Sequence, residues 1–357
     1  MHPHTMGLTP NCAIILVLAT GAACRPTDQC NTTAGDASPS AQPVELNLKM
    51  VSVSPIPTTY PYNHASSIIE SPDGDLLCAW GAGTTELAPD QLIVLSRRKL
   101  GESEWTAPVI VADRPDQPDA NPVLFADDAG TIHLYYVEMF GPSFCLGRVM
   151  ERVSTDNAAT WSAPRDALGA VCTMIRNHVL VAKDGRWVLP AYQQAIYQSQ
   201  FWVSADRGQT WSATAPLLTL TANNLQPAVV ELADGSFYAL MRTSGGNNET
   251  WEGRSSDSGK SWQVKQRPEL PNPNSGLDLI RLATGHLLMV HNPSKTERTP
   301  LSITVSPDEG VNWSAPFHIA EGPPQLSYPS ACQARNGQIH ITYSDRLERI
   351  THAVLTP

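Results

Sequence analysis

The sequence has few charged residues and lacks the short motifs of several enzyme classes. Only 16% of its 357 residues are charged, and the net charge of −10 argues against a protein that binds nucleic acid or an anionic membrane surface. It contains no Cys-x-x-Cys pair, no His-Glu-x-x-His, no Walker loop and no Gly-x-Ser-x-Gly. Long helical periodicity is also lacking, whereas 30 prolines and 23 glycines are typical of a chain with many strands and turns. We therefore expect an all-β protein without a metal or a cofactor.

A phrase of the form Ser-x-Asp-x-Gly-x-Thr-Trp recurs along the chain. Its clearest copy runs from Ser204 to Trp211, and the tryptophans of successive copies are spaced 56, 50, 51 and 51 residues apart. The Asp can accept hydrogen bonds from its own turn, the Gly can adopt positive φ, and the Trp can pack across strands. The phrase therefore indicates structural repeats rather than a catalytic site. These tryptophans are Trp105, Trp161, Trp211, Trp262 and Trp313.

A second series confirms this period. Six turn pairs, each followed by an apolar, β-favouring run, end at Gly74, Gly130, Gly185, Gly235, Gly285 and Gly337. Turns of this kind between such runs predict hairpins, so we expect six repeats of about 50 residues. The last repeat has room for only three strands, and we expect the segment Val44–Pro55 to supply the fourth and close a ring, as in a propeller.

The N-terminal residues read as a targeting segment. Residues 12–24 form a short apolar run that ends in small residues, and Cys24 follows Gly21-Ala22-Ala23 as in a bacterial lipoprotein processing site. We expect a signal peptide of the lipoprotein type at 1–24, a flexible tether at 25–44 and one propeller domain at 45–357. The protein is expected to be exported, either anchored through acylated Cys24 or simply secreted. Export permits disulfides, and Cys145 and Cys172 lie in neighbouring repeats where they could pair.

The repeated phrase resembles the Asp-box of the sialidase (neuraminidase) superfamily. The resemblance spans residues 54–355 and includes the stretches LQPAVVELADGSFYALMR and LSYPSACQ. It implies a six-bladed β-propeller and an exo-glycosidase that removes a terminal acidic sugar, sialic acid or a related keto-sugar acid, from glycans. In that family three arginines bind the substrate carboxylate, a Tyr attacks the sugar with a Glu as its base, and an Asp is the acid/base. A neutral phenol suits this role because the substrate carboxylate does not repel it.

The resemblance implies a role for several basic residues. Arg242 and Arg298 lie where the second and third arginines of the family lie, and Arg346 is a further cation in the last repeat. Arg176 opens the third repeat and either contacts the substrate or forms a structural ion pair. Arginine suits carboxylate binding because its planar fork donates two parallel hydrogen bonds.

At two positions the sequence differs from the family pattern. Tyr328 falls where the nucleophile falls, but Gln226 stands where its Glu base is expected, and Asn63 stands where the first arginine is expected. The acid/base loop of the first repeat offers either Glu86 or Asp90.

Three further positions have both a functional and a structural interpretation. His64, whose unperturbed pKa is about 6.5, is either a replacement proton carrier, a hydrogen-bond donor to substrate or a buried histidine. Asn274 and Asp278 either contact a ligand or cap a turn.

Two alternative functions follow from these departures. A propeller without the first arginine and the Glu base could bind carbohydrate without turnover. Loss of one arginine could equally mean a hydrolase or lyase for a different sugar, such as a uronic acid.

Overall fold

The computed structural model describes residues 46–141, 143–220 and 222–357. The predicted signal peptide at 1–24, the tether at 25–44 and Cys24 lie outside these ranges and remain predictions. Within the described part no helix is long and apolar enough to cross a membrane.

Twenty-five strands and one short 3-10 helix, Phe144–Leu146, make up the regular structure of the described residues. The strands are β1 Lys49–Pro55, β2 Tyr62–Glu70, β3 Leu76–Gly83, β4 Leu92–Arg98, β5 Val109–Ala112, β6 Asp119–Ala126, β7 Ile132–Met139, β8 Gly147–Ser154, β9 Arg165–Val171, β10 Thr173–Ile175, β11 Leu180–Val181, β12 Trp187–Gln193, β13 Gln198–Ser204, β14 Ser212–Ala213, β15 Asn223–Glu231, β16 Phe237–Ser244, β17 Glu249–Ser255, β18 Gln263–Pro271, β19 Asp278–Arg281, β20 Leu287–His291, β21 Leu301–Ser306, β22 Phe317–Ala320, β23 Leu326–Gln333, β24 Ile339–Asp345 and β25 Arg349–Thr356.

These strands form an all-β, propeller-like arrangement of five hydrogen-bonded sheets. Strands β2–β5, β6–β9 and β19–β22 each form a four-stranded antiparallel sheet, and β23–β25 form another with β1. The remaining strands form one nine-stranded sheet, because β13 and β15 meet in a single parallel pair, Gln198 opposite Asn224. The Asn224 side chain reinforces this junction by accepting from the Ser199 amide at 2.8 Å and donating to Gln198 at 2.7 Å. The hydrogen bonding therefore separates five sheets where the sequence predicts six blades.

The predicted closing strand is present. Strand β1 pairs antiparallel with β25, with Val53 opposite Ala353. The first and last sheets are also neighbours, since the Ile68 amide donates to Ser330 at 3.1 Å. The N-terminal segment of the domain thus completes the last sheet, and this prediction is confirmed.

The six predicted hairpin turns are also confirmed. All six turn glycines have φ between 84° and 89°, and each donates its amide to the carbonyl three residues earlier, as Gly74 does to Ser71 at 2.9 Å. A side chain at such φ is costly, which explains why glycine recurs at these positions.

The Asp-box turns are held by one hydrogen-bond pattern. In the copy at Asp206, the carboxylate accepts from the Thr210 amide at 2.9 Å and from the Ser204 hydroxyl at 2.8 Å, while the Gly208 amide donates to Ser204 at 2.8 Å. The same bonds recur at the copies ending at Trp161, Trp262 and Trp313, with Ala158 in place of the glycine in the first of these. The turn also joins neighbouring units, because Arg165 of β9 donates to the Gly208 carbonyl at 2.6 Å. The boxes therefore have the structural role that their sequence indicates.

The core lies between neighbouring sheets rather than inside any one of them. One cluster joins Leu77 and Ile93 of the first four-stranded sheet to Leu134 of the next. In another, Trp262 stacks on Phe201 with ring centroids 4.5 Å apart. Cys145 and Cys172 form a disulfide, as the sequence suggested.

Candidate functional site

A cavity of about 490 Å³ gathers polar side chains from most of the sheets. Its wall combines one acid, two arginines and several uncharged hydrogen-bonding groups. They include His64, Glu86, Asn121, Tyr192, Gln226, Arg242, Asn274, Arg298 and Tyr328.

A repeated backbone irregularity positions several of these side chains. In strands β2, β6, β15 and β23 the pairing register shifts at a bulge. The bulge residues Ala65, Asn121, Gln226 and Tyr328 have φ of 57°, 49°, 52° and 52°, and Asn274 ahead of β19 has φ of 57°. This conformation costs an L-residue roughly 1–2 kcal/mol, and bulges redirect side chains next to functional sites. Four of these five residues line the cavity themselves, and Ala65 follows His64, which also lines it.

Tyr328 lies at the centre of the polar groups. Its hydroxyl accepts hydrogen bonds from Arg242 Nη1 at 2.6 Å and from Gln226 Nε2 at 3.1 Å. The guanidinium carbons of Arg176, Arg242 and Arg298 lie 5.4, 5.8 and 5.7 Å from its ring centroid. Burial raises the pKa of Tyr328, but the charges of Arg242 and Arg298 and the hydrogen bond from Gln226 outweigh it, so the pKa is lower than usual.

Arg242 and Arg298 are held by uncharged partners. Asn274 accepts from Arg242 Nε through its side chain at 2.7 Å and from Arg298 Nη2 through its carbonyl at 2.8 Å. Among the described residues, no carboxylate lies within ion-pair distance of either arginine. Their positive charge therefore remains available to an anionic ligand.

The structure separates the two candidate acids. Glu86 lines the cavity, and burial raises the pKa of its carboxyl, although the charges of Arg298 and Arg242 oppose this. Asp90 is exposed, and hydrogen bonds from Thr84 lower its pKa. A raised pKa suits a group that must carry a proton near neutral pH, so Glu86 is the better placed acid.

His64 is buried against the ring of Tyr328, with ring centroids 4.2 Å apart. Its Nδ1 pairs with the Ser344 hydroxyl at 2.9 Å. Burial, followed by the charges of Arg298, Arg176 and Arg242, lowers its pKa to about 3. The imidazole is therefore neutral at physiological pH and is a weak base.

Asn63 and Arg346 lie outside the cavity wall. Asn63 is fully buried, accepts from Trp80 Nε1 at 2.8 Å and donates to the Tyr60 and Glu348 carbonyls, also at 2.8 Å. Arg346 pairs with Asp345 at 3.1 Å. Asn63 thus fastens the entry of β2 to neighbouring loops and does not replace an arginine in the cavity.

Arg176 and Asp278 form a polar layer behind Tyr328. Arg176 is buried and donates to the Pro329 carbonyl. Asp278 accepts from the Ala331 amide at 2.7 Å and pairs with His178 at 2.9 Å. Burial raises the pKa of Asp278, but His178 and Arg176 outweigh it, so the pKa is lowered and the group is ionised.

Several cavity residues have no signal in the sequence motifs. Asn121 is the one that the repeat period could have revealed, because it lies 56 residues after Ala65 at the equivalent bulge. Phe144, Tyr192 and Tyr197 form an aromatic part of the wall. Nothing in the described part forms a cluster of three or more His, Cys, Asp or Glu that could hold a metal.

Known proteins resemble this chain in fold. A protein of unknown function from Dyadobacter fermentans superposes with a TM-score of 0.73 at 18% identity, over 87% of this chain and 99% of its own. The Hadza microbial sialidase Hz136 gives 0.71 at 18% identity, over 82% of this chain and 65% of its own. The NanB sialidase from Streptococcus pneumoniae gives 0.71 at 13%, over 87% and 70%. No curated protein sequence matches the chain.

The sequence also matches the BNR repeat-like domain family over residues 74–341, most of the described structure. The chain therefore belongs to the BNR repeat-like domain family, and it shares its fold with the sialidases Hz136 and NanB.

Proposed function

We propose that this protein is an exported exo-glycosidase that removes a terminal acidic sugar, sialic acid or a related keto-sugar acid, from glycans. The observation that carries the proposal is the pair Arg242 and Arg298, which line the cavity beside Tyr328 and form no ion pair among the described residues. A half-buried charge without an ionic partner is stabilised by an oppositely charged ligand, which favours an anionic substrate.

Each role follows from the contacts of the residue. Arg242 and Arg298 bind the substrate carboxylate, because Asn274 holds both guanidinium groups at the cavity wall. Glu86 protonates the leaving oxygen, because burial raises its pKa. Tyr328 attacks the anomeric carbon. The resemblance in fold to NanB and Hz136, both sialidases, supports the same reaction class.

The proposal includes the finer architecture. The nine-stranded sheet corresponds to two blades, β10–β14 and β15–β18, because one residue pair joins them. With the four other sheets this makes a six-bladed propeller. The N-terminal residues direct export, with Cys24 as the acylated residue of a lipoprotein.

A non-catalytic carbohydrate-binding protein is the second candidate. It is favoured by one observation, the presence of Gln226 rather than a carboxylate beside the Tyr328 hydroxyl, since an amide cannot accept a proton from Tyr328.

A panel of fluorogenic α-sialosides, α-Kdn glycosides and uronides tests these functions. We expect release from a sialoside or Kdn glycoside, abolished in Tyr328→Phe. Arg298→Ala should lower kcat/KM by about 10- to 100-fold or more, since a charge-assisted hydrogen bond contributes roughly 1.5–3 kcal/mol. Arg207→Ala is the matched control, because Arg207 is exposed and pairs with Asp128 away from the cavity wall.

The outcomes separate the candidates. Unchanged kcat/KM in Arg298→Ala would remove that residue from the site. Silence on every acidic glycoside, together with binding of intact glycans on an array, would favour the binding protein. Release from uronides alone, or an unsaturated product, would favour the different sugar or the lyase.

A further inference from the structure

The hydroxyl oxygen of Tyr328 receives two hydrogen bonds. The amide of Gln226 is oriented by Arg242, whose Nη1 donates to Gln226 Oε1 at 3.2 Å. Because a guanidinium can only donate, this contact places Oε1 toward Arg242 and Nε2 toward Tyr328. Nε2 and Arg242 Nη1 then both donate to the Tyr328 oxygen, at 3.1 and 2.6 Å.

No hydrogen-bond acceptor for the Tyr328 proton lies within reach among the described residues. The hydroxyl takes part in these two contacts as an acceptor and in no other hydrogen bond of the described structure. A neutral phenol in this place would find no protein acceptor for its own proton, whereas a phenolate accepts both hydrogen bonds and needs no acceptor. Hydrogen bonds to the charged form favour that form.

The charges around Tyr328 act in the same direction. Arg176, Arg242 and Arg298 approach its ring from three separate parts of the chain, and Glu86 is the acid on the cavity wall. His64 packs on the ring and is neutral because its pKa is about 3. Behind the ring, the ionised Asp278 offsets much of the charge of Arg176. Arg242 and Arg298 are then opposed only by Glu86, whose own pKa is raised.

The neighbouring tyrosines stay protonated. Burial raises the pKa of Tyr192 to about 12 and raises that of Tyr62 further still. Among all nine tyrosines of the chain, those with a raised pKa are Tyr62, Tyr135, Tyr136, Tyr192, Tyr238 and Tyr343. Tyr328 is therefore set apart from them by its surroundings.

We propose that Tyr328 acts as a preformed phenolate, with Gln226 and the surrounding arginines taking the place of a general base. The consequence for catalysis rests on the proposed function, but the ionisation does not. The phenolate oxygen forms a bond to the anomeric carbon, the bond to the leaving oxygen breaks, and Glu86 gives that oxygen its proton. Water then attacks the anomeric carbon, the tyrosyl bond breaks to restore the phenolate, and the Glu86 carboxylate takes the proton of the water.

The proposal couples anion binding to protonation. A carboxylate bound by Arg242 and Arg298 cancels part of the positive charge that stabilises the phenolate, so it raises the pKa of Tyr328. By linkage, the affinity for free sialic acid should fall as the pH rises through the pKa of Tyr328, by up to tenfold per pH unit.

A pH titration of the near-ultraviolet tyrosinate absorption tests the ionisation without any substrate. We expect the protein to show a step below the ordinary tyrosine pKa of about 10 that is missing in Tyr328→Phe. Gln226→Glu replaces a donor by a carboxylate of nearly the same shape and should move this step up by about one pH unit or more, a tenfold change in the ionisation constant. Gln263→Glu adds the same charge at an exposed position of β18 and should leave the step unchanged.

The proposal is wrong if folded Tyr328→Phe shows the same titration as the parent protein. If Tyr328→Phe does not fold, as shown by loss of its circular dichroism, the Gln226→Glu variant provides the test. A tyrosinate step at the same pH in Gln226→Glu and in the parent protein overturns the proposal. A tyrosinate step in a protein that is silent on every glycoside would refute the proposed function and leave the phenolate standing. Turnover of a glycoside without the tyrosinate step would support the proposed function and overturn the phenolate.

Discussion

Replacement of Gly310 by alanine should destabilise the fold more than the same change at any of the hairpin glycines. Gly310 belongs to the Asp-box that ends at Trp313, and its φ is 83°. A Cβ there would lie 2.4 Å from Cζ and 2.7 Å from Oη of Tyr238. Real Cβ atoms do not approach other atoms so closely, so either the turn or the ring must move.

The surroundings of Tyr238 prevent an easy adjustment. The ring is fully buried, its hydroxyl donates to Glu252 at 3.0 Å, and the guanidinium carbon of Arg254 lies 4.5 Å from its centroid. The turn is fixed as well, because the Gly310 amide donates to Ser306 at 2.8 Å and its carbonyl accepts from Arg267 at 2.9 Å.

The expected cost has two parts. Left-handed φ costs an L-residue roughly 1–2 kcal/mol, and overpacking of a tight site costs about 1–3 kcal/mol more. Gly310→Ala should therefore lower the free energy of unfolding by about 2–5 kcal/mol. Gly337→Ala isolates the first part, because Gly337 has φ of 85° and a Cβ there would have no neighbour within 4 Å.

Urea unfolding followed by circular dichroism measures both variants. We expect the midpoint of Gly310→Ala to lie clearly below that of Gly337→Ala, with Gly208→Ala between them because its Cβ would lie 2.9 Å from Trp187. Equal midpoints for Gly310→Ala and Gly337→Ala would show that the Tyr238 contact yields freely and would refute the reasoning.

Two further predictions concern pH. Glu86→Gln should lower kcat/KM on sialosides with poor leaving groups by about 10²–10⁴-fold, and the loss should be smaller for leaving groups that need no proton. In the parent protein the rate should fall as the pH rises above the raised pKa of Glu86, and this alkaline limb of the pH profile should be missing in the variant. An unchanged alkaline limb would contradict the role of Glu86. Asp119 is buried, its Oδ1 has no hydrogen-bond partner among the described residues, and desolvation raises its pKa to about 7. A group with a raised folded pKa stabilises fully below its unfolded pKa of about 4, and that stability is lost as pH rises through about 7. Asp119→Asn should therefore be roughly 1–4 kcal/mol more stable than the parent at pH 8 and nearly equal at pH 4, as measured by urea unfolding; a parallel pH dependence in both proteins would contradict this.

Residues close together in the chain account for most of what could be predicted. The Asp-box places Ser204, Asp206, Gly208 and Thr210 within seven residues, so both the donors and the acceptors of its hydrogen bonds belong to the same short motif. The positive φ of the six hairpin glycines follows from the same local chemistry. The closing strand was predicted because the last repeat has room for only three strands. Strand β1 supplies the fourth by pairing with β25.

The candidate site depends on residues far apart in the chain. The resemblance pointed to Tyr328, Arg242 and Arg298, but their mutual contacts join residues up to 86 positions apart. Which of Glu86 and Asp90 enters the cavity depends on how the loop after β3 folds. The burial of Asn63 depends on Glu348, which is 285 residues away.

The sequence alone therefore determined the repeated all-β architecture, the six hairpins and the strand that completes the last sheet. Turn chemistry and strand alternation act over fewer than about ten residues, and the sequence shows both directly. Only the tertiary structure decided that the sheets number five by hydrogen bonding, that His64 is neutral, and that Tyr328 accepts from Gln226 and Arg242. Burial and charge depend on distances across the cavity, and those distances are set by the packing of separate sheets against one another.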